Sequence, residues 1–205
     1  MIKNIVFDVG KVLIDWYPFE TMEQLGFSKD VMDTIRKYIF DSGEWSREDE
    51  GLMTRDELKD YFASLMPKYG DNMRLFYDHA TDSIRPRNYV KPLISTLKAM
   101  GYKVYVLSNF GESAMLTGVK MGGINFLDDL DGYLFSYEIH KVKPNPEIYE
   151  ALYERYGLNP AECLFIDDLK ENIAGARATG MDGIVFESID QLKTELISYG
   201  IDIEL

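Results

Sequence analysis

The sequence predicts an α/β fold, a doubly wound parallel sheet with an all-helical segment inserted after its first strand. Three observations predict it. Short β-branched runs recur along the chain, and each is followed by a helical pattern of apolar residues. That alternation is the signature of strand–helix–strand units. The third observation is one long stretch, residues 16–86, with helical periodicity and no convincing strand.

Residues 2–7 form an apolar run that stops on Asp8 and read as a buried strand. Residues 103–107 and 162–166 repeat the pattern, stopping on Ser108-Asn109 and Asp167-Asp168. Residues 181–186 predict a fourth strand, and 132–136 a weaker fifth. Helices are expected over 89–100, 112–121, 146–156, 170–179 and 189–199. Gly101, Gly157, Gly180 and Gly200 stand where helices tend to stop. In the insert, helices are expected over 19–25, 29–38, 55–66 and 72–80. Thr54 with Glu57 spells a capping box, and Ser28 a second N-cap. Arg85-Pro86-Arg87 reads as the return linker. The expected division is a core of residues 1–15 and 87–205 and a helical lid of residues 16–86.

Apolar residues make up 46% of the 205, enough for a packed core. The formal net charge of −13 repels phosphate backbones and argues against a nucleic-acid partner. It leaves room for one small phosphorylated metabolite held by a few local cations. Cys163 is the only cysteine, so no intrachain disulfide or cysteine-built zinc site is possible; its apolar surroundings predict a buried side chain. The two histidines, His79 and His140, are too few for a histidine-rich metal site and read as surface or loop residues. The N-terminus has no signal-peptide pattern, and no window reaches the ~18 apolar residues of a membrane span. A cytoplasmic protein with no membrane partner is expected. Oligomeric state is open.

Ligands of parallel α/β sheets bind at the carboxyl ends of the strands. Asp8, Ser108-Asn109 and Asp167-Asp168 all stand at such ends. Carboxylates gathered in one cleft repel each other unless a hard cation joins them. Magnesium takes oxygen ligands and keeps several waters, so Asp8 and Asp168 suffice as anchors.

The residues around these positions carry a family resemblance. Phe7-Asp8-Val9-Gly10-Lys11-Val12-Leu13-Ile14-Asp15 resembles the first motif of the haloacid dehalogenase-like (HAD) hydrolases. Leu107-Ser108-Asn109 is similar to the second, and Lys143-Pro144 with Pro146, Ile148 and Tyr149 to the third. Phe165-Ile166-Asp167-Asp168 with Asn172, Ile173, Gly175 and Ala176 resembles the fourth. The four occur in the family order and frame nearly the whole chain.

The resemblance implies a Rossmann-like core with a helical cap, and a magnesium-dependent phosphatase. Asp8 is then the nucleophile that takes the phosphoryl group. Ser108 bonds a phosphoryl oxygen, with Asn109 assisting. Lys143 neutralises the nucleophile and the developing charge. Magnesium is implied on Asp8, Asp168 and the carbonyl of Gly10, with Asp167 direct or one shell out. Asn172 ties the loop.

One position departs from the family's phosphatases, which carry a second aspartate two residues after the nucleophile as general acid and base. Here it is Gly10. Such catalysis is worth ~10² to 10⁴ in rate, or about 3 to 5 kcal/mol. Three explanations stand. The acid comes from elsewhere, with Asp15, Glu48, Asp49 and Glu50 the nearest choices. The leaving group needs little acid, as in a sugar-1-phosphate, the class to which members with this Asp-X-Gly-X-Val pattern are assigned. Or turnover is lost, leaving a binding protein. Haloacid dehalogenase chemistry is the rival enzyme reading. In the lid, Glu44, Glu48, Asp49 and Glu50 read as a solvated face. Trp16, Tyr17 and Trp45 read as lid core or entrance, Arg47 as the nearest cation for a substrate, and Lys11 as a residue at the cleft.

Overall fold

The computed structural model describes residues 1–204. Five parallel strands make the central sheet: β1 (Asn4–Phe7), β4 (Lys103–Ser108), β5 (Gly132–Phe135), β6 (Cys163–Asp167) and β7 (Asp182–Val185), in the order β5-β4-β1-β6-β7. β1 lies at the centre, with Phe7 paired to Val106 on one side and Ile166 on the other. Every strand of the sheet was expected from its apolar run, within two residues at each end. The alternating pleat sends Ile5 and Phe7 to one face and Val6 to the other, and both faces are buried. On the first face pack α6 (Val90–Ala99) and α10 (Ile189–Ser198), through Leu93, Ile94, Leu97, Leu192 and Leu196. On the second pack α8 (Pro146–Tyr156) and α9 (Lys170–Ala178), through Ile148, Tyr149, Leu152, Ile173 and Ala176. α7 (Glu112–Lys120) follows β4. Cys163 is fully buried, as its neighbours predict.

Between residues 17 and 83 the chain forms five α-helices: α1 (Pro18–Gln24), α2 (Lys29–Ile35), α3 (Ser46–Glu50), α4 (Arg55–Ser64) and α5 (Gly70–His79). They close on their own core of Met22, Ile35, Leu58, Phe62, Met73 and Phe76. Ser28 caps α2 by accepting from the Val31 amide, and Thr54 with Glu57 forms the predicted capping box of α4. α2 runs on into a π-helical turn, Arg36–Phe40, where one α-helix was expected.

The base of this insert differs from expectation. Arg85-Pro86 is not a plain linker: β3 (Ile84–Pro86) pairs antiparallel with β2 (Ile14–Trp16), so a two-stranded ribbon joins insert to core. The Trp16 indole also donates to the Ala80 carbonyl at 2.6 Å. Among the described residues, no helix is long and apolar enough to cross a membrane.

Candidate active site

The central position of β1 puts Asp8 between the ends of its two neighbours. β4 delivers Ser108 and β6 delivers Asp167, both buried. Ser108 Oγ donates to Asp8 Oδ1 at 2.7 Å. The loop after β5 brings Lys143, whose Nζ donates to Asp8 Oδ1 at 2.8 Å, to Asp167 Oδ2 at 2.6 Å and to the Leu107 carbonyl at 3.2 Å. The Lys143 side chain is only 1% exposed. Asn109 clamps its backbone: Oδ1 accepts from the Lys143 amide at 2.7 Å, and Nδ2 donates to its carbonyl at 3.1 Å. The Asn109 side chain therefore positions the lysine's backbone, and Asn109 also lines the cavity described below.

A buried ammonium between two carboxylates is stable only if each partner is itself satisfied. Asp167 meets that condition fully. Its Oδ1 accepts from the Leu169 amide at 2.8 Å, and both its oxygens accept from Asn172 Nδ2 at 3.0 Å. Tyr149 in turn donates to the Asn172 carbonyl. Burial works against the charge on Lys143, but Asp8 and Asp167 outweigh it and hold its pKa above the ordinary lysine value. Burial pushes Asp8 up to about 6, against the pull of Lys143, and Asp167 adds to the rise.

Asp8, Asp167 and Asp168 each offer an oxygen within 4.8 Å of the others'. The turn after Asp8 folds back tightly, with the Leu13 and Ile14 amides on the Val9 carbonyl and Lys11 in the left-handed region at φ 58°. Lys11 Nζ lies 3.3 Å from Asp168 Oδ2, on a largely exposed side chain. Gly10 has open space where a Cβ would stand.

A cavity of about 200 Å³ opens beside this cluster, between core and insert. Gly10, Asn109 and Phe110 wall it from the core side; Trp45, Asp49 and Tyr77 wall it from the insert. Ile14, Trp16, Ala80, Ile84 and Ala114 make most of the remaining surface apolar. Trp16 and Trp45 serve twice, since both also pack on the insert's core. Tyr17 is exposed and does not line the cavity.

Other expectations for the lid fail here. The acidic run is not a solvated face. Glu48 is buried and bonded to the Tyr77 hydroxyl, because the short helix α3 is pressed against the core. Arg47 is turned outward and paired with Glu44. Arg55, at the start of α4, lines the cavity instead, paired with Asp78 and bonded to Ser113. Nothing in the sequence distinguishes Arg55 from other surface arginines, since its position depends on how the insert docks. His79 pairs with Asp82, and His140 Nδ1 lies 3.0 Å from the Glu50 carbonyl; neither enters the cavity.

The family model for haloacid dehalogenase-like hydrolases matches residues 2–180. The chain belongs to that family. It is 27% identical to a D-ribitol-5-phosphate phosphatase of Bacteroides thetaiotaomicron, over 96% of this chain and 97% of the relative. It is also 27% identical to a sesquiterpene phosphatase of Aspergillus oryzae, over 89% of this chain and 88% of that one. Among solved structures, a HAD-family enzyme of B. thetaiotaomicron, in complex with magnesium and inorganic phosphate, superposes with a TM-score of 0.73. That match has 25% identity and covers 94% of this chain and 99% of that one. As a HAD hydrolase, this chain is an enzyme, with the core and helical insert expected from its motifs.

Proposed function

We propose that this hydrolase is a magnesium-dependent phosphatase that transfers the phosphoryl group of a small monoester to Asp8 and then to water. One observation carries the reading: the Asp8 carboxylate is held by Ser108 and Lys143, with Asp168 beside it, next to a cavity that Gly10 and Asn109 help to line. The phosphatase relatives, aligned over nearly their whole length, support it.

The donor set suits magnesium, which prefers a few carboxylates and waters. Asp8 Oδ1 is engaged by Ser108 and Lys143, while its Oδ2 has no hydrogen-bond partner among the described residues. Asp168 has one oxygen free beside its pairing with Lys11. These two carboxylates, with the Gly10 carbonyl, would hold the ion. Asp167 has no free oxygen, so its part is to position Lys143. When bound, magnesium neutralises the non-bridging phosphoryl oxygens and lets two anions approach.

The protein's own residues do the rest. Asp8 is ionised at neutral pH, since its raised value of about 6 still lies below 7. It attacks phosphorus, the bond to the leaving oxygen breaks, and an aspartyl-phosphate forms. Lys143 and Ser108, fixed beforehand, meet the charge that develops on the phosphoryl oxygens. The ribbon of β2 and β3 lets the insert cover the site and exclude water until the intermediate exists.

The lining bears on the leaving group. A sugar-1-phosphate needs donors and acceptors for its hydroxyls, and the Trp16, Trp45, Ile14, Ile84 and Phe110 walls offer few. The cavity favours a compact, largely apolar alcohol. The test is a panel of benzyl phosphate, 3-methylbutyl phosphate, glucose-1-phosphate and ribitol-5-phosphate with Mg²⁺, with Asp8→Asn as control. The apolar esters should lead by at least tenfold in kcat/KM, and Asp8→Asn should turn over nothing. A leading sugar phosphate rejects the apolar leaving group; activity in Asp8→Asn rejects the mechanism.

A further inference from the structure

We propose that Asp49, carried by the helical insert, is the general acid and then the general base of the reaction, in place of the aspartate that Gly10 replaces. The inference rests on the phosphatase reading above.

Gly10 leaves the core without a proton donor beside the leaving oxygen, and each nearby acid can be tested by position. Asp15 is tied to Arg87 at 2.7 Å and points away from the cavity lining. Glu48 is buried against Tyr77 and the backbone of Gly111, where an added Cβ would stand 2.4 Å from its Oε1. Glu50 does not line the cavity, and its carbonyl is held by His140. Glu48 and Asp49 both line it together with Gly10, and of the two Glu48 is committed to the Tyr77 hydroxyl, which leaves Asp49 as the acid with an uncommitted carboxyl.

Further observations favour Asp49. Its backbone is anchored to the core, because its carbonyl accepts from Ser136 Oγ at 2.5 Å, and Ser136 Oγ also accepts from the Phe110 amide. The carboxyl itself has no hydrogen-bond partner among the described residues, so nothing competes for its proton or its lone pairs. It also feels the charges of both Asp8 and Lys143. Burial, Glu48 and Asp8 push it up to about 8, with Lys143 opposing. At neutral pH it therefore carries the proton that an alkoxide leaving group needs.

The steps balance. As Asp8 attacks phosphorus, the bond to the leaving oxygen breaks with its electron pair, and the Asp49 proton moves to that oxygen to release the alcohol. The Asp49 carboxylate then takes a proton from water as that water attacks the aspartyl-phosphate. The bond from phosphorus to Asp8 breaks, inorganic phosphate leaves, and both aspartates return to their starting states.

Asp49→Asn in the full chain with Mg²⁺ tests this, with thermal unfolding to confirm the fold. Benzyl phosphate has a leaving group that needs an acid; 4-nitrophenyl phosphate does not. On benzyl phosphate the variant should lose ~10² to 10⁴-fold in single-turnover rate. On 4-nitrophenyl phosphate it should release one equivalent of nitrophenolate in a burst and then stall as the phosphorylated enzyme. Adding Gly10→Asp to Asp49→Asn should restore benzyl phosphate turnover. Equal losses on both esters without a burst, or unchanged benzyl phosphate turnover, overturn the assignment alone. No turnover by the wild type, or turnover by Asp8→Asn, overturns the phosphatase reading and this assignment with it.

Discussion

Lys143 is the residue on which the whole cluster depends. It neutralises two buried carboxylates at once, and among the described residues no other cation pairs with them; Lys11 stays outside, on Asp168. Breaking a buried pair strands a charge, which typically costs about 3–5 kcal/mol. Lys143→Met keeps the apolar stem and removes only the ammonium. In the metal-free protein it should lower the unfolding free energy read from urea titration by that amount and abolish turnover. Part of the loss will be relieved if Asp8 takes up a proton, so the deficit should be smaller at pH 5 than at pH 8. A midpoint that ignores pH would show that the ammonium is not what balances these carboxylates. Asp167 belongs to the same argument. Its sequence neighbourhood, Phe-Ile-Asp-Asp, does not say which aspartate is left free to hold a metal. The distinction comes from the Asn172 and Leu169 donors that occupy Asp167, and those depend on the turn into α9.

At the scale of elements, the strands were readable because a parallel sheet buries both faces, which demands unbroken apolar runs. The ribbon of β2 and β3 was not readable: three residues each, one containing Arg85 and Pro86, leave no period to detect. α3 was missed for a related reason. Five residues, four of them charged, look solvated until the core is seen to cover them. That is also why the buried Glu48 and the cavity-lining Asp49 were indistinct among four acidic residues. The motifs, by contrast, carry their packing reason openly. Gly175 on α9 is one: an added Cβ would stand 2.5 Å from the Pro144 carbonyl, on the loop that carries Lys143. Overpacking of this kind costs about 1–3 kcal/mol. Gly175→Ala should therefore lower the unfolding free energy by that much and also reduce kcat, because the backbone that must yield holds the ammonium. A stability loss with full kcat would place the strain elsewhere, on the Tyr149 side of the contact.

For the molecule as a whole, the insert closes a carboxyl of its own over a site that is already anionic, in a chain of net charge −13. That arrangement links stability to pH with a definite sign. Asp49 is pushed from 3.8 up to about 8 in the folded state, first by burial and then by Glu48 and Asp8. A group with a raised carboxyl pKa binds its proton more tightly folded than unfolded. Its contribution is thus greatest below pH 4 and is lost as pH rises through 8. Asn cannot ionise, so Asp49→Asn should gain stability relative to the wild type across that window. One pKa unit is worth about 1.4 kcal/mol, and each kcal/mol moves Tm by roughly 2–4 °C in a chain of this size. A gap of several degrees should open between pH 5 and pH 8 in metal-free protein. Magnesium on Asp8 and Asp168 removes the repulsion from Asp8 but not the burial or Glu48, so the gap should narrow with Mg²⁺ and not vanish. Scanning calorimetry of the two proteins at both pH values, with and without the ion, reads all four terms. A gap that is constant with pH would mean that the Asp49 carboxyl is solvated and the insert does not close over it.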